Sequence, residues 1–312
     1  MLAKKRVLVT GASGFIGTHL IKRLGQENVK VGAVIRSNQS CIKEDNDIEI
    51  IQSDLNDFVN LQRQVHCFRP DIVYHLAGVR PQGYNWQAIQ EAYEINFLGT
   101  MNLFHALDGL KCESVILAGS AAEYGRGPAP YQEHQGLQAV SAYGSAKAAA
   151  TSLGKLCYEY FKLPVVTLRF TLIYGPGQDE SFFISQLIKT LLAGQPFPMT
   201  GGEQYRDFIY VSDVVEALWL AANNPRAAGG IFNIGQGFSQ PIKDVAILIA
   251  TMLDCSERLE IGKMTYKKGE QFAYCVDTNL ARQVLQWQPK VALMQGLKET
   301  IQWFKRSQAG CP

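Results

Sequence analysis

Tyr143 and Lys147 stand four residues apart in Tyr143-Gly-Ser-Ala-Lys147, at the head of an alanine-rich run. On a helix that spacing sets a phenol and an ammonium on one face. A cation beside a phenol favours the phenolate and lowers a pKa that is otherwise about 10. The pair therefore reads as a proton donor and acceptor tuned towards neutrality.

A second chemical feature lies near the start, in Val7-Leu-Val-Thr-Gly11-Ala-Ser-Gly14-Phe-Ile-Gly17-Thr-His-Leu-Ile-Lys-Arg-Leu24. The apolar run predicts a buried strand, the glycines a tight turn and Thr18 to Leu24 a helix. Gly11 suits the turn, Gly14 the approach of a pyrophosphate and Gly17 the contact of helix on sheet, with helix N–H groups facing the phosphates. The spacing is Gly-x-x-Gly-x-x-Gly, a variant of the commoner dinucleotide fingerprint.

Around these features, apolar runs alternate with helical ones at Val7–Val9, Val31–Ile35, Glu49–Gln52, Ile72–Leu76, Ser114–Ala118 and Val165–Phe170. That rhythm predicts a doubly wound α/β fold of the Rossmann type, a parallel sheet covered on both faces. Residues 1–171 are expected to form the dinucleotide-binding domain, with 207–235 returning to it at Phe208 to Val211, a helix over Ser212 to Ala222 and a strand over Ile231 to Ile234. Residues 172–206 and 236–312 are expected to form a smaller, interwoven substrate-binding region, with helices over Phe182 to Leu192 and Gly296 to Phe304.

The chain has 312 residues, and its 30 Lys+Arg against 28 Asp+Glu give a net charge of +2. No basic run points to nucleic acid, and no apolar run reaches the length of a membrane span. Seven scattered cysteines without Cys-x-x-Cys predict reduced thiols and no metal site. With the first strand beginning so early there is no room for a signal peptide, and the expected location is the cytoplasm.

Taken in order, these segments resemble the extended short-chain dehydrogenase/reductase family, in particular its nucleotide-sugar epimerases, dehydratases and ketoreductases. The resemblance rests on Gly11-Ala-Ser-Gly-Phe-Ile-Gly17, Asp54-Leu55, His75-Leu-Ala-Gly78, Asn96-Phe-Leu-Gly-Thr100, Ser120-Ala-Ala-Glu-Tyr-Gly125, Tyr143-x-x-x-Lys147, Tyr174-Gly-Pro176, Arg206-Asp-Phe-Ile-Tyr-Val211 and Trp287-x-Pro289. It implies that Tyr143 is the acid/base, that Lys147 lowers its pKa and bonds the nicotinamide ribose, and that Ser120 is a second donor to the reacting oxygen. Gly11, Ser13, Gly14, Phe15, Ile16, Gly17, Asp54, Leu55, Leu76, Ala77, Gly78 and Phe170 are then the cofactor's neighbours. Arg206 matches the family's diphosphate arginine, although an ion pair with Asp207 or Asp213 is the structural alternative. Lys267 or Lys268 would add positive charge, and Arg80 either reaches phosphate or sugar or stays in solvent. Phe182, Phe183, Phe197 and Met199 are candidates for a nucleobase pocket, while His75 and Asn96 are read as structural. The resemblance also implies a homodimer through the helical segments Gln87 to Leu107 and Ser145 to Phe161.

Departures from the family pattern narrow the chemistry. The 4,6-dehydratases resemble this region with Asp-Glu where Ala121 and Ala122 stand, and the decarboxylases with a glutamate in place of Ala122. Methyl groups move no protons, and Glu123 is expected to face away. Leu172 stands where epimerases carry an asparagine near the diphosphate. At the end of the second strand Arg36 and Ser37 replace the usual carboxylate and favour a 2′-phosphate, hence NADP(H) over NAD(H); the alternative for Arg36 is stacking on adenine or solvent. The expectation is an NADPH-dependent reductase of a nucleotide-activated 4-keto-6-deoxyhexose. A 4-epimerase with retained NAD is the alternative, and a non-catalytic dinucleotide sensor or scaffold the remote one.

Overall fold

The computed structural model describes residues 4–36, 42, 47–266 and 270–308. Its first part runs β1 (Lys5–Thr10), α1 (Phe15–Leu24), β2 (Val29–Ile35), β3 (Ile48–Gln52), α2 (Phe58–Phe68), β4 (Ile72–His75), α3 (Trp86–Tyr93), α4 (Gly99–Ala106), β5 (Ser114–Ser120), α5 (Ala142–Phe161) and β6 (Val165–Phe170). The chain continues through β7 (Leu172–Tyr174), α6 (Phe183–Leu192), β8 (Phe197–Met199), β9 (Tyr205–Arg206), β10 (Phe208–Tyr210), α7 (Val211–Ala222), β11 (Ile231–Ile234), β12 (Gln240–Pro241), α8 (Ile242–Met252), β13 (Leu259–Ile261) and α9 (Leu293–Gln308).

The main sheet has the order β3-β2-β1-β4-β5-β6-β11, with parallel pairing throughout. Strands β4, β5 and β6 are buried along their whole length, which a parallel sheet requires when helices cover both faces. Leu20 and Leu24 of α1 pack with Val214 and Leu218 of α7 on one face. Leu61 of α2, Leu103 of α4 and Ala150 of α5 cover the other. Strand order reverses between β1 and β4, where an open sheet of this kind offers a crevice outside its carboxyl ends.

A third apolar cluster unites α6, α8 and α9 with β8 and β10. The turn Gly175–Gly177 ties it to the sheet, because Nε2 of His19 on α1 lies 2.8 Å from the Pro176 carbonyl. Phe208 to Val211 does not rejoin the main sheet. Instead β10 pairs with β7, since Leu172 N donates to the Asp207 carbonyl and the Asp207 carboxylate accepts from Thr171, Gln236 and Gly237. Of that segment α7 and β11 pack on or extend the sheet, and Ile209 of β10 joins the same core.

The stretch expected as one helix over Gln87 to Leu107 is interrupted between α3 and α4 by a π-turn at Glu94–Leu98. Asn96, fully buried in that turn, donates to the Val79 carbonyl and accepts from the Val79 N–H, at 2.9 and 3.1 Å. The bulge thereby pins the loop that follows β4. Among the described residues no helix is long and apolar enough to cross a membrane.

Candidate active site

The glycine turn after β1 is set by space. Gly11 has φ +69°, and a Cβ there would stand 2.6 Å from the Ala77 amide nitrogen. A Cβ on Gly17 would overlap the Gly11 carbonyl. Gly14 is the N-cap of α1 and has no side chain to cap it, which leaves the first-turn N–H groups open to an anion. Ser13 and Gly14 are exposed, Phe15 and Ile16 half-buried. Opposite them Leu76 and Ala77 donate to the Thr10 carbonyl and hydroxyl at 3.1 and 3.3 Å. Gly78 is exposed, and a side chain there would come within 3.1 Å of Lys147 Nζ. A bare backbone cradle beside a helix N-terminus fits a dinucleotide.

Flanking positions follow the crevice. Asp54 is exposed and accepts from the Asn56 N–H at 2.8 Å, while Leu55 is buried against Gly99. Phe170 closes β6 and is buried. Arg36 is exposed at the end of β2. Ser37 lies outside the described residues.

Across the crevice, α5 is started by Ser141, whose hydroxyl accepts from Gly144 N. Gly144 presses on the turn after β5, where a Cβ would meet the Ala122 carbonyl at 2.5 Å. That contact brings Tyr143 beside Ser120, the last residue of β5, whose hydroxyl is near enough to pull the phenol's pKa down. Lys147, one turn on, is buried and donates to the Ala118 carbonyl at 3.0 Å, with Nζ 6.0 Å from the Tyr143 ring centre.

These positions revise the expected electrostatics. Burial raises the pKa of Tyr143, opposed by the Ser120 hydrogen bond and the Arg80 charge, while Glu123 adds to the rise. The Lys147 ammonium is turned towards Ala118, and the pKa of Tyr143 lies above its ordinary value rather than below it. Burial pulls Lys147 itself down to about 8, against the field of Glu123. Glu123 has its carboxylate turned to the backbone of β5 and to Arg169. It is fully buried, accepts from the Ser120 N–H at 2.8 Å and pairs with Arg169 at 2.8 Å.

His75 is held by Thr10 and Thr100 at 2.6 and 2.9 Å, and burial drops its pKa to about 3. It is a neutral core residue with both ring nitrogens engaged. Among the described residues no His/Cys/Asp/Glu group has the arrangement to hold a metal.

The other wall of the cleft comes from the smaller cluster. Arg206 pairs with Glu270 at 2.6 Å and donates to the Gln271 carbonyl at 2.7 Å, so its partner is neither Asp207 nor Asp213. Lys267 and Lys268 lie outside the described residues. Arg80 is exposed and stacks over Phe182, 5.7 Å from the ring centre. Phe183, Phe197 and Met199 line a cavity of about 350 Å³ with Thr200, Gln204 and Ile242.

Several contributors escaped the sequence reading. Gln204 is 6% exposed, donates to Thr200 Oγ1 at 3.3 Å and leaves its buried Oε1 without a partner. Tyr274 sits near Tyr143 and Arg80, packed edge-on against Tyr131. Nothing local in the sequence marks either residue, although Gln204 stands two positions before the Arg206 motif.

A profile of the NAD dependent epimerase/dehydratase family matches residues 7–235. The chain is 33% identical to a UDP-N-acetyl-alpha-D-glucosaminuronate decarboxylase of Bacillus cytotoxicus, over 97% of this chain and 98% of that protein. It is 28% identical to a UDP-glucose 4-epimerase of Mycolicibacterium smegmatis, over 96% and 98%. The solved structure of MoeE5 with UDP-glucuronic acid and NAD superposes with a TM-score of 0.88 at 33% identity, over 97% of this chain and 99% of that one. Fold, crevice and sequence agree, and the chain belongs to the NAD dependent epimerase/dehydratase family.

Proposed function

We propose that this protein reduces the 4-keto group of a nucleotide-activated 4-keto-6-deoxyhexose, with Tyr143 as proton donor. The observation that carries this reading is the poverty of the site in other proton carriers. Ser120, Tyr143 and Lys147 converge, Ala121 and Ala122 offer only methyl groups, and the carboxylate of Glu123 is consumed by Arg169. Elimination of water asks for an acid and a base beyond the tyrosine, and loss of a carboxyl group asks for an acid to protonate the carbon left behind. Transfer of one hydride and one proton asks for none.

In this reading the bound dinucleotide supplies hydride at its nicotinamide C4. The chain does the rest. The Gly11–Gly17 turn and the N-terminus of α1 would hold its phosphates, and Gly78 and Lys147 would border its ribose. Ser120 and Tyr143 both donate to the carbonyl oxygen, stabilising negative charge as it develops. Tyr143 then gives up its proton to that oxygen. A phenol held above its ordinary pKa stays protonated until this demand arises. The cavity beside Phe183 and Phe197 would take the nucleobase, and Arg206 the diphosphate once released from Glu270. The apolar faces of α3–α4 and α5 would join two copies into a dimer. Arg36, exposed at the end of β2, supports NADPH as the reductant.

A second reading, 4-epimerisation with retained NAD, draws on the relatives: MoeE5 was solved with a UDP-sugar and NAD, and the Mycolicibacterium smegmatis protein is named a 4-epimerase. One experiment separates the two. Purified protein is given a nucleotide-linked 4-keto-6-deoxyhexose with NADPH or NADH, and separately UDP-glucose and UDP-glucuronic acid with no added cofactor. Oxidation of NADPH with formation of the 4-hydroxy sugar supports reduction. Epimerised UDP-sugar without cofactor consumption replaces it, and equal use of NADH and NADPH by both wild type and Arg36→Ala removes the NADP(H) preference.

A further inference from the structure

Beneath the candidate active site lies an ion pair that the proposed reaction does not use. The short turn Ala121–Glu123 opens on Ser120, which has extended backbone at φ −151° and ψ 142°. Its hydroxyl accepts from the Ala122 N–H at 3.2 Å, while its own N–H donates to Glu123 Oε1 at 2.8 Å. The second carboxylate oxygen meets Arg169 Nε at 2.8 Å, with side-chain exposures of 0% and 2%.

Space has been made for this carboxylate. A Cβ at Gly119 would stand 2.9 Å from Glu123 Oε1, so any other residue on that strand position would push it away. Arg169 is held in turn, donating at 2.9 Å to the Tyr124 hydroxyl and lying 4.7 Å over the Tyr124 ring. The Tyr124 hydroxyl donates onward to Asn233 Oδ1 at 2.8 Å. This is a satisfied network, the kind that fixes one geometry. Buried ion pairs seldom stabilise a fold more than well-packed apolar residues would. Its placement, one hydrogen bond from Ser120, points to another use.

We propose that Glu123, braced by Arg169, is a positioning residue that holds the Ser120 backbone so that its hydroxyl reaches Tyr143. The carboxylate is engaged at both oxygens, by the Ser120 N–H and by Arg169. Its action passes through the Ser120 N–H. The field of the same carboxylate favours the charged form of Lys147 and the neutral form of Tyr143, which keeps both ready for proton delivery. The inference rests on the roles given above to Ser120 and Tyr143.

The test is a mutant cycle. Glu123→Val with Arg169→Leu removes both charges together, so neither is left buried alone. With the nucleotide-linked substrate, kcat is expected to fall about tenfold or more while KM and the dinucleotide Kd stay within about twofold. Adding Ser120→Ala to that background should cost little, whereas in wild-type protein it costs at least about tenfold. An equal cost of Ser120→Ala in both backgrounds, or an unchanged kcat, overturns the proposal. If the double variant does not fold, Glu123→Gln serves in the same cycle, with a smaller Ser120→Ala cost expected than in wild type and an equal one again decisive against it. A substrate-free arm labels tyrosine with ¹³C and assigns Tyr143 through Tyr143→Phe. In the double variant the Tyr143 signal is expected to move to its Ser120→Ala position, and an unmoved signal overturns the proposal even if the enzyme turns over some other sugar.

Discussion

The two walls of the cleft are built on different physical terms. The dinucleotide wall is made of backbone and small residues in the turn after β1 and in the first turns of α1 and α5, where Gly11, Gly17 and Gly144 are fixed by contacts that admit no Cβ. The substrate wall is made of side chains on loops and short strands, with Arg206 tied to Glu270 and Gln204 holding an unsatisfied oxygen. The first wall is set before any ligand arrives. The second has polar groups that, in the proposed function, a ligand would satisfy or free, and specificity would reside there.

The sharpest test of that contrast is Tyr143→Phe. It removes one hydroxyl from the rigid wall and is expected to lower kcat by about a thousandfold, within the range for loss of a general acid. Dinucleotide affinity, measured by calorimetry, should stay within about twofold. If affinity fell in step with kcat, the tyrosine would belong to binding and the proposed chemistry would fail.

How much of each wall was legible differs for the same reason. The strand, glycine turn and helix of β1–α1 are local, and so is the Tyr143–Lys147 spacing, so pattern and period reveal them. The parallel fold follows from the alternation of β and α runs, and β6 and β11 lie where the apolar runs end. Partners far apart in sequence leave no such trace. Glu123 meets Arg169 across 46 positions and Arg206 meets Glu270 across 64, so neither pairing could be read from spacing. The pKa of Tyr143 was misjudged because a helical neighbour shows the cation but not the burial, and burial dominates. Phe208 to Val211 reads as a returning strand because its apolar run says nothing of the Asp207 hydrogen bonds that divert it.

Rigidity in the first wall carries a pH signature. His75 stays neutral in the fold down to about 3, whereas in the unfolded chain it takes up a proton near its ordinary value of 6.5. Protonation therefore favours unfolding. Stability is fully present above pH 6.5 and is lost as pH falls from there towards 3, at about 1.4 kcal/mol per pH unit for this one group. Urea midpoints at pH 7 and pH 5 should drop for wild type and drop less for His75→Gln. An identical drop would assign acid sensitivity to other groups and weaken the claim that this wall is the rigid one.

On the substrate wall the next effect in size is Arg206→Ala. Loss of a charge-assisted contact to a diphosphate is expected to raise KM for the nucleotide sugar by about tenfold to thirtyfold, with dinucleotide binding unchanged. Glu270→Gln should do the reverse to Arg206 by releasing it, and KM is expected to fall or hold. If both substitutions raised KM equally, the ion pair itself, rather than a freed arginine, would be the element that shapes the site.

The smallest predicted effect falls on the cavity. Gln204, whose buried Oε1 has no partner, lines the same cavity as Phe183, Phe197 and Met199, and an unmet buried acceptor costs free energy until an N–H reaches it. A nucleobase with an imide N–H fits that need, and its rings would pack on the two phenylalanines. Gln204→Met keeps the volume and removes the acceptor. Binding of uridine diphosphate, followed by calorimetry, is expected to weaken about fivefold to tenfold, while the apparent stability of the free protein rises slightly because the orphaned oxygen is gone. Unchanged binding would place the base elsewhere and would leave the diphosphate contact as the only specific feature of this wall.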